Sequence, residues 1–102
     1  MVTLHRYRTI HDMKYTQATL NKLEKILQES NYVVRYERGT FQSGYCLLEE
    51  RKVVVLNEFL QIEGRINTLV DLIPQLVVNV DELTPETRKA YDEVIRSVDA
   101  PV

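Results

Sequence analysis

The sequence predicts one α+β domain: a three-stranded antiparallel meander with an N-terminal helix and two C-terminal helices. Three observations predict it. Apolar residues recur at helical spacing over 12–29, over 62–73 and again beyond Thr84. Three runs suited to strands, 32–38, 41–48 and 53–56, lie between the first two stripes. The chain has 102 residues with three Gly and three Pro, which fits one core and short connections.

In the first helix, Met13, Thr16, Leu20, Leu23 and Leu27 recur at spacings of three and four, and Ile26 widens the stripe. Lys14, Gln17, Asn21, Lys22 and Lys25 fill the other face as a solvated surface. Ser30-Asn31 are turn formers and end it. In the first strand Tyr32, Val34 and Tyr36 alternate with Val33, Arg35 and Glu37, and Gly39 permits a reversal. In the second, Phe41, Ser43, Tyr45 and Leu47 alternate with Gln42, Gly44, Cys46 and Leu48. The charged run 49–52 reads as a hairpin connection, and short connections favour neighbouring strands. Val53-Val54-Val55-Leu56 is apolar on both faces and reads as the best-buried strand.

Ile62, Ile66, Leu69, Val70 and Ile73 form the stripe of the second helix. Pro74 ends or kinks it, because proline removes one hydrogen bond and clashes with the preceding turn, while Leu76, Val77 and Val80 allow a kinked continuation to Asn79. Thr84 as cap and Pro85 at the first position open the last helix, whose stripe is Tyr91, Val94, Ile95 and Val98.

The net charge of −2 gives no field toward nucleic acid or anionic membranes. No apolar run approaches the roughly 20 residues of a membrane span, and the first residues lack a signal-peptide pattern. A lone cysteine forms no internal disulfide, so the expected location is cytoplasmic.

From Gly44 to Leu72 the chain resembles the ImmA/IrrE family of zinc metallopeptidases. The matching pieces are Ser43-Gly44-Tyr45, then Val53-Val54-Val55-Leu56-Asn57, a short joint, and a helix opening Glu63-Gly64-Arg65-Ile66. The resemblance implies a reduced zincin-like arrangement in which the helix carries HEXXH. There, two His at i and i+4 hold zinc and the Glu acts as general base. In the register set by Asn57 and Arg65, those positions fall on Val70-Asp71-Leu72-Ile73-Pro74. Val70 and Pro74 stand where ligands would, and Asp71 stands where the base would. His5 and His11, the chain's two histidines, lie far upstream. No metal or other cofactor is expected, and the chain reads as a non-catalytic relative.

The binding candidates are Tyr36, Gly44, Tyr45, Asn57 and Asp71. Each has a plainer reading: Asn57 as a turn former, Gly44 as a point of close packing, Asp71 as a solvated surface acid. Cys46 shares its alternation with Leu48 and reads as a buried, inert thiol; a nucleophile needs a nearby base. Arg6, Arg8, Arg35 and Arg38 with Tyr7 and Tyr36 make a weak nucleic-acid patch, and the acidic balance argues against it. The expected function is protein or peptide binding by strand addition at a sheet edge, or homodimerisation through that edge. The alternatives are a small enzyme using Cys46 or an atypical metal, and a nucleic-acid accessory protein.

Overall fold

The structure is a computed structural model that describes residues 14–39, 45–48 and 52–99, with the backbone alone for 45–48 and 98–99. Its elements run α1 (Gln17–Glu29), β1 (Val33–Glu37), β2 (Tyr45–Leu48), β3 (Val53–Asn57), α2 (Ile62–Leu72) and α3 (Pro85–Asp99), with 3-10 turns at Ile73–Gln75 and Val80–Glu82.

Thr16 sets the start of α1, later than the apolar stripe suggests. Its backbone is extended and its hydroxyl accepts from the Thr19 N–H at 3.2 Å, satisfying a donor that lacks a helical partner. At the other end Asn31 takes φ 70°, the left-handed region that asparagine tolerates. The Tyr32 N–H then donates to the Leu27 carbonyl at 2.8 Å and the Asn31 N–H to Gln28 at 3.1 Å, which closes the helix in a Schellman motif.

The three strands form one mixed sheet in the order β1-β3-β2. β2 and β3 make an antiparallel pair, with Leu48 opposite Val53 and Tyr45 opposite Leu56. β1 and β3 are parallel, from Val33 opposite Val53 to Glu37 opposite Asn57. This overturns the antiparallel meander, and with it the reduced zincin-like arrangement built on that meander. Strand direction alternates along the chain as a meander requires, but β3 inserts between the other two. The physical reason lies in burial: Val54 and Leu56 are fully buried and Val53 nearly so, and the central place is where a strand apolar on both faces is best covered. Short connections favoured sequential neighbours, and that preference lost.

α1 and α2 pack together, and α1 lies against β1. Leu20, Leu23, Ile26 and Leu27 of α1 meet Ile66, Leu69 and Val70 of α2 and Val54 and Leu56 of β3 in one core. Val34 and Tyr36 pack against it from β1. α3 packs chiefly on α1, through Ala90 and Val94, as an outer layer. Pro74 ends α2 in a 3-10 turn, and Leu76 is already extended (ψ 157°), so the kinked continuation to Asn79 does not form. Asn79 caps the second 3-10 turn, accepting from the Asp81 N–H at 3.1 Å.

Candidate functional site

The joint between β3 and α2 is where the sequence concentrates its candidates. Asn57 closes β3 and its Oδ1 accepts from the Phe59 N–H at 2.9 Å, while its carbonyl accepts from the Leu60 N–H at 3.1 Å. It works as the turn former that its plainer reading describes. Gly64 keeps the space in which Leu60 lies, since a Cβ there would come 3.2 Å from Leu60 Cδ2.

Arg65, one helical turn into α2, pins this joint. Its Nε donates to the Leu60 carbonyl at 2.8 Å and its Nη2 to the Glu58 carbonyl at 2.9 Å. Its guanidinium also lies over the Tyr36 ring, 4.5 Å from the centroid. The Tyr36 hydroxyl in turn donates to Glu24 of α1. Burial raises the Tyr36 phenol well above the ordinary tyrosine range, and the hydrogen bond to the Glu24 carboxylate raises it further. This phenol is therefore a donor and a brace, not a base. One chain of contacts ties α1 to β1, to the joint and to α2.

β1 is one of the two outer strands. The Val33 N–H donates to the Lys52 carbonyl and the Glu37 carbonyl accepts from the Glu58 N–H, both at 2.9 Å. Backbone groups alternate sides along a strand, so Val33, Arg35 and Glu37 address β3 while Val34 and Tyr36 direct theirs outward. No strand among the described residues pairs with that edge. Its open face carries Val33, 52% exposed, and an ion pair between Arg35 and Glu37. An Arg38–Glu58 ion pair (3.7 Å) brings the end of this edge beside the joint. At the joint Tyr15, Phe59, Leu60, Gln61, Ile62, Glu63 and Gly64 line an open hollow of about 590 Å³, part apolar and part polar, with Phe59 68% exposed.

Of the predicted residues, Tyr36, Tyr45 and Asn57 come to the same end of the sheet, since Tyr36 and Tyr45 both pair with Leu56 beside Asn57. Asp71 does not join them; it lies in the last turn of α2, on the exposed face, and burial of its surroundings raises its carboxyl above the ordinary range. Gly44, His5, His11, Arg6, Tyr7 and Arg8 lie outside the described residues, as does the side chain of Cys46. Cys46 pairs in register with Val55.

At the positions matched to HEXXH, Val70 is fully buried in the core and Pro74 sits in the 3-10 turn. Neither offers a ligand atom. Among the described residues, no group of three His, Cys, Asp or Glu could hold a metal ion. No helix among them is long and apolar enough to cross a membrane.

Sequence reasoning missed Arg65 as a clamp, Glu24 as the partner of Tyr36, and the Tyr15–Phe59 hollow. Phe59 carried a readable signal, an aromatic residue in a polar joint. Compared with known proteins, the chain matches no protein-family model, no curated protein and no solved structure.

Proposed function

We propose that this protein is a non-catalytic binding domain that takes an extended segment of a partner protein by strand addition along β1. The observation that carries it is the outer edge of β1, where the backbone groups of Val34 and Tyr36 face away from β3 and no described strand meets them. The brace of Glu24, Tyr36 and Arg65 supports the reading, because a strand already tied to its neighbours has less freedom to lose on pairing. The open hollow at the joint, where Phe59 is exposed beside Gln61 and Glu63, gives a partner segment a second surface to contact. Kinship to the ImmA/IrrE family belongs to the same proposal. It is supported by the order of β2, β3, Asn57, joint and α2, and the replaced ligand positions make that kinship a non-catalytic one.

The test uses one substitution. Val34→Pro removes an outward N–H while leaving the ladder donor at Val33 in place, and proline is tolerated on edge strands in that orientation. Tagged wild-type protein should recover a stoichiometric partner from its native lysate and leave it unhydrolysed. Val34→Pro, shown to be folded by circular dichroism, should lose that partner, and Phe59→Ala should weaken it. A partner held equally by the folded Val34→Pro protein would sink the proposal.

A further inference from the structure

A groove runs between α1 and α3, on the side of α1 away from the sheet. Two hollows, of about 260 and about 300 Å³, share Lys22, Ala90 and Glu93 and so form one continuous trough. The helices run antiparallel, since Lys14 and Ala18 line one hollow with Glu93, while Lys25 lines the other with Glu86. Its buried lining is Leu23, Thr87 and Ala90, with Ala18 exposed beside them. Its rims carry Lys14, Lys22, Lys25 and Lys89, all exposed, against Glu86 and Glu93. The ion pairs among the described residues involve arginines, and none of these lysines takes part in one.

We infer that this trough receives an acidic amphipathic helix from a partner protein. Charge complementarity selects the occupant. The charged residues lining the α1 side, Lys22 and Lys25 with Lys14 just before the helix, are all basic in a chain whose net charge is −2, which favours an acidic segment on this side. Length selects a helix. Lys14 precedes α1, and within the helix Ala18 to Lys25 covers roughly 10 Å of rise, about two turns, which a docked helix spans and a single small anion does not. The small side chains of Ala18 and Ala90 let a third helix approach closely, with its apolar stripe on them. Glu86 and Glu93 on the α3 rim fix the orientation, because the acidic flank must face α1.

The probe is a 16-residue helical peptide with Leu and Ala on one stripe and Glu along one flank, set against the same peptide with Gln for Glu. Binding to the full chain is read by fluorescence anisotropy. The Glu peptide should bind about tenfold more tightly at low salt, and the advantage should fall as salt rises. Lys14→Glu combined with Lys22→Glu, both exposed and clear of the core, should remove the advantage. Val34→Pro should leave it intact, which separates this surface from the β1 edge. Equal binding of the two peptides, binding of neither, or an advantage retained by the double variant would overturn the inference. Displacement of the Glu peptide by millimolar inorganic pyrophosphate would overturn it in favour of a small-anion site.

Discussion

At the scale of single residues, Arg65 does the work that the sequence assigned to no one. A planar fork reaches two carbonyls of the joint and still covers the Tyr36 ring, a combination that lysine's single ammonium cannot reproduce. Arg65→Lys should therefore lower stability by about 1–2 kcal/mol in urea unfolding, although the charge is kept. A loss below about 0.5 kcal/mol would show that the fork does not pin the joint. Asp71 makes the opposite case. Burial raises its carboxyl in the folded chain, so the folded form is favoured by a protonated Asp71. That contribution is complete below the unfolded value and is lost as pH rises through the folded one. The charge also sits in the last turn of α2, the negative end of the helix dipole. Asp71→Asn should raise the melting temperature at pH 7, with the gain shrinking below about pH 4. A gain independent of pH would assign it to something other than the charge.

Secondary-structure elements were largely legible from residue spacing, and their neighbours were not. The α1 stripe from Leu20 to Leu27, the α2 stripe, the Pro74 stop and the Pro85 start appear where periodicity and proline chemistry put them, while α1 begins at Gln17 rather than near residue 12. The order of the strands did not follow, yet the signal was present. A run apolar on both faces belongs in the middle of a three-stranded sheet, which already conflicts with a sequential meander. Caps show the same limit. Thr84 was readable as a cap, but the group that completes it is the Glu29 carboxylate at the end of α1. Glu29 accepts from the Thr84 N–H at 2.8 Å and from the Thr87 hydroxyl at 2.9 Å. A residue 55 positions away leaves no local trace. Desolvation pushes the Glu29 carboxyl up, but the hydrogen bonds from Thr84 and Thr87 and the nearby Lys25 together outweigh it, and the net direction is down. Its stabilisation is present above the unfolded value and lost as pH falls through the folded one. Glu29→Gln should cost about 1 kcal/mol at pH 7, solvent screening keeping the effect small, and the difference from wild type should narrow toward pH 3. A constant difference across that range would contradict the ionic cap.

For the whole molecule, the arrangement separates two surfaces. The sheet offers its β1 edge beside the Phe59 hollow, and the opposite side of α1 offers the lysine-rimmed trough. Tyr36 and Asn57 brace the first of these through bonds within the chain, Tyr36 to Glu24 and Asn57 to the Phe59 N–H, and neither partner was legible from residue type alone. The central claim is that a partner strand fills the edge of β1 that no strand among the described residues meets. Residue-resolved amide hydrogen exchange tests it most directly. In the free chain the parallel register predicts slow exchange at Val33, Arg35 and Glu37 and fast exchange at Val34 and Tyr36. With the partner bound, Val34 and Tyr36 should become slow and the alternation should vanish. Fast exchange persisting at both in the complex, or protection of both in the free monomer, would contradict the account.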